Sequence, residues 1–336
     1  MKILAIETSC DETGVSLIKA EGDLDNPQFK ILEELVASQI ETHRPWGGVV
    51  PHLAKREHNK NLPVLIDKIK NKEDIDYLAV TVGPGLDPCL WSGVNFVKDF
   101  HQEMFPDKQL IGVNHLEGHL YSFLLDKNIR NNVSSMFPSM QLVVSGGHTI
   151  LVYMKNIKEW EILGQTRDDA AGEAFDKVAR MLDLQYPGGP EIEKLSKEGD
   201  PEKYDFPRPM INSGDYDFSF SGLKTALLYH IQENPNSNKA DTAASFQQAV
   251  VDTLVTKTIK AAREYDVKSV MLSGGVAANT FLRDSLKNKS EELELGFYIP
   301  PIKYNTDNGT VIGIAAYISI LTDKNYEIEA QSNLSL

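Results

Sequence analysis

The residues best suited to chemistry lie in Asn114-His115-Leu116-Glu117-Gly118-His119. On a helix His115 and His119 share one face, the usual way a helix offers two imidazoles to one metal ion. Glu117, two positions from each, then points to the opposite side, at roughly 200° on a helix that turns about 100° per residue. In the protease motif H-E-x-x-H the glutamate directly follows the first histidine and reaches the metal-bound water. Leu116 holds that place here, so a peptidase of that kind lacks its general base. The plainer alternative is a pair of surface histidines. A metal needs a third ligand, and the loops supply His148, Asp11, Asp176 and Asp307. Asp307 stands just before an apolar helix, where it is either held rigidly as a ligand or spent as a cap. A His-His-Asp set leaves coordination positions open for a substrate oxygen, which suits Lewis-acid chemistry.

A second pattern concerns phosphate. Residues 8–14, 83–86, 145–149 and 273–279 are clusters of Ser, Gly and Asp, each placed where an apolar run ends. Each alone is an ordinary turn. Together they describe backbone amides and helix starts gathered around a phosphorylated, nucleotide-like ligand. The turn Thr8 to Gly14 carries Asp11 and Glu12, whose mutual repulsion calls for a cation or a proton nearby. Neither the P-loop G-x-x-x-x-G-K-[ST] nor a G-x-G-x-x-G after a strand is present, so a Walker-type NTPase and a Rossmann dehydrogenase are unsupported.

The elements that must position these groups follow from periodicity. Lys2 to Glu7, Val15 to Ile18, Leu35 to Ser38, Tyr77 to Val82 and Leu110 to Val113 read as strands, with helices over His52 to Lys70 and Trp91 to Met104. Pro63 should break or kink the first of these helices. The plan restarts at Met140 to Val144, a turn, and Ile150 to Tyr153, which suggests two lobes on one design. Helices are expected over Thr166 to Leu182, over Thr242 to about Glu264 with Asp241 as cap, and over Thr310 to Leu321. On the first of these Asp169, Glu173, Asp176 and Arg180 share a face. Residues 197–217 read as a long surface excursion, and the tail beyond Asp323 as frayed.

Composition bounds the function. The 336 residues, 41% hydrophobic and 24% charged, describe an ordinary globular chain of about two domains. No apolar run reaches the roughly 18 residues of a membrane helix, and a cytoplasmic protein without a membrane partner is expected. Two cysteines, Cys10 and Cys89, are too few for a disulfide scaffold. The net charge of −14 argues against nucleic acid held across the whole surface. The densest basic cluster near a motif is Lys55, Arg56, His58 and Lys60.

In combination, MKILAIETSCDETGVSLI at 1–18, GGVVP at 47–51, GPGL at 83–86, NHLEGH at 114–119, VSGGHT at 144–149, DDAAGEAFDKVAR at 168–180, YPGGP at 186–190, DFSFSGLKTA at 217–226, SGGVAAN at 273–279 and TDNG at 306–309 resemble the TsaD family, also called Gcp, YgjD or OSGEP. These are the tRNA N6-adenosine threonylcarbamoyltransferases, and the likeness spans nearly the whole chain. It departs from the family at Asp87 to Ser92, at His52 and at Thr310 to Gly313, positions that bear on packing and partner contact.

The resemblance implies an α/β, two-lobed actin/Hsp70/sugar-kinase-like (ASKHA) fold, with duplicated mixed sheets flanked by helices and a central cleft. Its expected division is 1–113 plus about 310–336 as N-terminal lobe, and 114–309 as C-terminal lobe carrying most of the nucleotide and metal site. The implied reaction moves threonylcarbamoyl from threonylcarbamoyl-AMP to N6 of the adenosine 3′ to the anticodon, position 37, in tRNAs reading ANN codons. It implies one divalent metal ion per subunit, iron or zinc, on His115, His119 and Asp307. Val143, Val144, Ser145, Gly146, Gly147, Asp176, Gly189 and Asn279 become the substrate contacts. Asp11 and Glu12 are catalytic candidates by location. TsaB and TsaE type accessory proteins are the implied partners, and would help an acidic chain hold tRNA. The competing readings are a metallopeptidase and an ASKHA-type kinase or ATPase.

Overall fold

The computed structural model describes residues 1–129 and 132–336. Among the described residues ten strands build two sheets of one design. The first contains β1 (Lys2–Glu7), β2 (Glu12–Glu21), β3 (Gln28–Ser38), β4 (Tyr77–Gly83) and β5 (Gln109–Asn114), in the order β3-β2-β1-β4-β5. The second contains β6 (Ser139–Val144), β7 (Thr149–Met154), β8 (Trp160–Gln165), β9 (Ser269–Ser273) and β10 (Gly296–Tyr298), in the order β10-β9-β6-β7-β8. In each, the first three strands form an antiparallel meander and the last two run parallel to the first. The duplication expected from the sequence is therefore a duplication of topology, down to the sense of every pairing.

Ten helices follow in chain order: α1 (Ile40–His43), α2 (Pro51–Lys68), α3 (Asp87–Met104), α4 (His115–Tyr121), α5 (Ala171–Met181), α6 (Gly188–Ser196), α7 (Ser221–Glu233), α8 (Lys239–Glu264), α9 (Thr280–Glu292) and α10 (Gly309–Thr322). In the first sheet Leu4 and Ile6 of β1 join Leu62, Leu65 and Ile66 of α2 and Val94 and Val97 of α3 in one core. On the other face α10 lies against β1 and β2. It can do so because glycines meet there: a Cβ on Gly14 would stand 2.7 Å from the Gly309 nitrogen, and one on Gly309 would stand 2.6 Å from the Ser16 nitrogen. As its all-round apolar character predicts, α10 is buried along most of its length. In the second sheet Met140, Leu142 and Val144 of β6 pack with Phe175 and Val178 of α5 and Phe246, Val250 and Leu254 of α8.

The chain divides into two compact units, Met1–Val133 with Thr306–Leu336, and Ser134–Asn305. This moves the expected boundaries of 113 and 310, and it places the whole histidine helix in the first unit. The cause is packing across a long sequence separation: Gly118 of α4 lets the side chains of Val311 and Ile312 of α10 approach it closely.

Other expectations shift for local reasons. Helix α2 runs through Pro63 without a break; both Pro63 and Asn59, whose carbonyl loses its partner, are exposed, so water can take the bond. The expected helix over Thr166 to Leu182 starts only at Ala171, because Asp168 and Asp169 are held in the preceding loop by side-chain bonds. Asn238 rather than Asp241 caps α8, accepting from Ala240 N–H at 2.8 Å. The tail beyond Asp323 is not frayed. Ile328 and Leu334 pack on the first core, and Gln331 N–H donates to the Val82 carbonyl at 2.7 Å. Among the described residues no helix is long and apolar enough to cross a membrane.

Candidate functional site

Strand β5 delivers the chain to Asn114, whose side-chain oxygen accepts from Leu116 N–H at 2.9 Å and so starts α4 at His115. One turn later comes His119, and the two rings lie 4.8 Å apart at 81°. Asp307 reaches both: its Oδ1 is 3.5 Å from His115 Nε2 and 3.3 Å from His119 Nε2. Asn308, not Asp307, caps α10 by accepting from Val311 N–H at 3.1 Å. Among the described residues, His115, His119 and Asp307 form the group of three able to hold a metal, with ligand atoms within 4.8 Å of one another.

The surroundings fit a cation. Both histidines are buried, and neither ring nitrogen of His119 makes a hydrogen bond. Leaving such nitrogens unsatisfied costs about 1–3 kcal/mol, which a bound cation offsets at Nε2. His115 is oriented differently. Its Nδ1 lies 3.1 Å from Glu7 Oε2 and 3.2 Å from Ser9 Oγ, so Nδ1–H donates to the carboxylate and Nε2 is the nitrogen that faces Asp307. Metal-binding histidines are commonly held in this way by a second carboxylate. Glu7 is fully buried and also accepts from Thr81 Oγ1 at 2.6 Å and from Ser9 N–H. Burial alone would depress the His115 pKa, but the Asp307 and Glu7 carboxylates outweigh it and hold the imidazole up at about 9. Burial alone would raise the Glu7 carboxyl, and His115 outweighs it and keeps it below its usual value. The proton on His115 thus occupies the place a cation would take.

Glu117 is turned away from this group, as its position on the helix requires. It is almost fully buried and accepts from Lys324 and, at 2.9 Å, from Tyr326 Oη.

The turn from β1 to β2 carries Asp11 and Glu12. Burial raises the Glu12 carboxyl well above its ordinary value, and the Asp11 and Asp307 carboxylates push it further. The repulsion noted in the sequence thus shows as a raised Glu12 carboxyl. The same burial and carboxylates raise the Cys10 thiol. A buried network fixes this turn. His58 Nε2 lies 2.9 Å from the Cys10 carbonyl and Nδ1 lies 2.8 Å from Thr13 Oγ1, so one ring ties the residues on both sides of Asp11-Glu12. Gln39 N–H donates to the Asp11 carbonyl at 3.0 Å, and the Gln39 side chain bonds His43 at 3.1 Å. Burial lowers the pKa of both His43 and His58, which keeps them neutral links. Of the presumed basic cluster Lys55, Arg56, His58 and Lys60, His58 is thus internal, while Arg56 and Lys60 pair with Glu57 at 3.3 and 3.5 Å.

In the second unit the glycine turns gather at the carboxyl ends of β6 and β9. Val143 and Val144 end β6; Ser145 N–H donates to the His148 carbonyl at 2.8 Å and its carbonyl accepts from Gly172 N–H at 3.2 Å. A Cβ on Gly172 would stand 2.6 Å from that carbonyl, and one on Gly274, at φ +91°, would stand 2.3 Å from the Val144 carbonyl. Those glycines serve packing. Gly146, Gly147, Gly189 and Gly275 differ, since a Cβ on each meets no atom within 4 Å. Asp176 accepts from Gly188 N–H at 2.7 Å and so sets the start of α6 next to Gly189. Asn279 caps α9 through Leu282 N–H at 2.9 Å, and its amide donates to Gln247 at 2.8 Å. His148 and Asp176, candidates for a third metal ligand, are in this unit and not in the histidine group. Exposed backbone with open space at glycines is what an anionic ligand such as a phosphate requires.

The sequence reading missed Glu7, Ser9, Thr81 and His58. Glu7 left a trace: a carboxylate directly after the apolar run Ile3 to Ile6 and before a polar turn.

A family model described as tRNA N6-adenosine threonylcarbamoyltransferase matches residues 30–314. A protein of that name from Thermosipho melanesiensis is 46% identical, with all of both chains covered. One from Moorella thermoacetica is 46% identical over 95% of this chain and 92% of its own, and one from Listeria monocytogenes 44% over 99% and 96%. Among solved structures, HypF of T. kodakarensis is similar at a TM-score of 0.58 and 15% identity, over 96% of this chain and 48% of that one. An ADPNP-bound activator of 2-hydroxyisocaproyl-CoA dehydratase from Clostridium difficile is similar at 0.53 and 12%, covering both chains fully. At those identities the likeness establishes the fold, and it agrees with the two-sheet ASKHA-type class expected from the sequence.

Proposed function

The chain belongs to the tRNA N6-adenosine threonylcarbamoyltransferase family, and from that membership we propose that it is an acyltransferase acting on threonylcarbamoyl-AMP and tRNA. The group is moved to N6 of the adenosine at position 37, 3′ to the anticodon in tRNAs reading ANN codons, and AMP leaves. The observation that carries a metal-assisted version of this reading is the convergence of His115, His119 and Asp307, with Glu7 behind His115.

Those three residues would hold one divalent ion, iron or zinc, which supplies Lewis-acid polarisation of the acyl donor when bound. Glu7 fixes the His115 tautomer so that Nε2 is the coordinating atom. Leu116 stands where a peptidase carries its base, and Glu117 is bonded to Lys324 and Tyr326 instead, so the residues present favour acyl transfer over water activation. The open glycines Gly146, Gly147 and Gly189, with Val143, Val144, Ser145, Asp176 and Asn279 around them, are assigned to the adenylate. AMP is a good leaving group, so the chain's task is to position reactants and stabilise charge. Glu12, whose carboxyl is raised by burial and by the neighbouring Asp11, is with Asp11 the candidate for handling a proton in the transfer. TsaB and TsaE type proteins complete the assembly that holds tRNA, in keeping with the net charge of −14.

The test is incubation of the purified protein with threonylcarbamoyl-AMP, unmodified tRNA and the accessory proteins, followed by mass spectrometry of the tRNA nucleosides. Threonylcarbamoyladenosine is expected. Its absence, together with peptide cleavage that chelators abolish, would sink this reading in favour of a peptidase.

A further inference from the structure

The last fourteen residues, numbers 323–336, form a strap rather than a loose end. Tyr326 bridges antiparallel to Gly112 of β5, and a Cβ on Gly112 would stand 2.6 Å from the Tyr326 carbonyl. Gln331 N–H donates to the Val82 carbonyl at 2.7 Å, Gly85 N–H to the Ser332 carbonyl at 3.2 Å, and Ser332 Oγ to Asp87 at 3.1 Å. The strap therefore crosses the carboxyl ends of β4 and β5, where α4 begins.

It then takes hold of α4 at two points. The Asn114 side chain, which caps the helix with its oxygen, donates from Nδ2 to the Ser335 carbonyl at 2.8 Å. Two residues past His115 along the helix, Glu117 is drawn to Lys324 and Tyr326. A helix of seven residues, His115–Tyr121, is too short to be stable by its own hydrogen bonds. Its rotation about its axis has to be imposed from outside. Glu117 projects at roughly 200° from each histidine, so fixing its carboxylate on the far side fixes the direction in which both imidazoles point. Gly118 against Val311 and Ile312 keeps that face of the helix close to α10, and the Glu117 bonds add a directed polar hold.

We propose that the C-terminal strap, acting through Glu117, is a positioning device for the metal centre: Glu117, Tyr326 and Lys324 set the rotation of α4 that aims His115 and His119 at Asp307. This rests on the reading of His115, His119 and Asp307 as metal ligands. Glu117 is bonded to Lys324 and Tyr326 and is not one of the three grouped ligands, so it acts through the helix that carries them. The strap ties metal affinity to the chain's extreme C-terminus, more than two hundred residues from the histidines.

The test uses the full chain and Zn²⁺ alone, titrated by calorimetry into metal-stripped protein, with the Co²⁺ absorption spectrum as a report on ligand geometry. Glu117→Gln keeps an acceptor for Tyr326, and Glu117→Leu keeps none. Zn²⁺ binding is expected to weaken about tenfold or more in Glu117→Leu and by less in Glu117→Gln and Tyr326→Phe, with altered Co²⁺ bands in each. Leu62→Ala, a core change in the same unit, is the comparison, since it should lower the melting temperature while leaving Zn²⁺ affinity and the Co²⁺ spectrum as in the parent. Removal of residues 324–336 is the most severe variant, and the point variants keep the test decisive if it does not fold. Glu117 variants that bind Zn²⁺ as the parent does, with an unchanged Co²⁺ spectrum, overturn the strap's role alone. A parent chain that takes up no Zn²⁺ overturns the metal reading and the strap proposal with it.

Discussion

The two sheets share strand order and strand sense, yet the turns at the same place on each do opposite things. At the end of β1 and just beyond it come acids: Glu7 and Asp11 are largely or wholly out of solvent, and burial raises the Glu12 carboxyl well above its ordinary value. After β6 come Gly146 and Gly147, exposed and with nothing near a Cβ. One copy of the frame presents charge and ligating side chains, the other presents bare backbone. Under the proposed function the first turn faces a cation and the second a phosphate, and the difference follows from that. A cation is satisfied by a few directed lone pairs, which need side chains held by further side chains. An anionic phosphate is satisfied by N–H groups, which need side chains kept out of the way.

The sharpest way to break that contrast is to remove the ligand that ends the first turn's logic. Asp307→Ala takes away the carboxylate facing both Nε2 atoms. It should abolish stoichiometric metal binding and lower transfer activity by about a hundredfold or more, measured by metal analysis and tRNA nucleoside mass spectrometry. Adenylate binding should survive, because the second unit keeps all its glycines. Equal loss of both would mean that the two turns are not separable in function.

Next in size is the residue behind the ligand. Glu7→Gln keeps the shape but removes the charge that orients His115. A loss of about 10–100-fold in metal affinity is expected, read by competition with a chelating dye. An unchanged affinity would show that Ser9, at 3.2 Å from the same nitrogen, suffices.

A smaller effect comes from pH. Without metal, His115 in the folded chain holds its proton up to about 9, against about 6.5 in an unfolded chain. A pKa raised on folding contributes stability that is complete below about 6.5 and is lost as pH rises through about 9. Metal-stripped protein should therefore melt progressively earlier between those values. Metal-loaded protein and His115→Gln should lack that slope, which differential scanning calorimetry can follow. The second unit should contribute none of it.

Much of this contrast could be read in the sequence, and the rest could not for definite reasons. His115 and His119 announced themselves because helical spacing is local, and the glycine turns because they end apolar runs. Asp307 was reached through the family resemblance, since nothing local separates a ligand from a helix cap; the structure separates them by giving the cap to Asn308. Glu7 was hidden inside a strand that reads as wholly apolar in purpose. His58 was hidden in a run of basic residues that looks solvated, although its ring is buried. The strap was invisible because its alternation, Tyr326-Glu327-Ile328-Glu329-Ala330, is only five residues long, and its partners Glu117, Gly112 and Val82 are remote in sequence.

The finest probe of the two turns is a single methyl group. In the first hairpin a Cβ on Gly14 would stand 2.7 Å from the Gly309 nitrogen, at the start of the helix that follows Asp307. Gly14→Ala must therefore push α10 away, at a cost of about 1–3 kcal/mol, and should carry Asp307 out of place. In the second hairpin Gly147 has open space at that position and no left-handed backbone to lose. Gly147→Ala should leave the melting temperature unchanged or raise it slightly, by about 0.4–1 kcal/mol of unfolded-chain entropy. Any weakening of AMP binding in that variant then reports a ligand pressed against the turn, because no protein atom is there to object. AMP binding unaffected by both Gly147→Ala and Gly146→Ala would mean that the open glycines are idle and that the second turn is only a hairpin. Weaker AMP binding with an intact fold would show that the same frame has been put to two uses by the choice between a side chain and none.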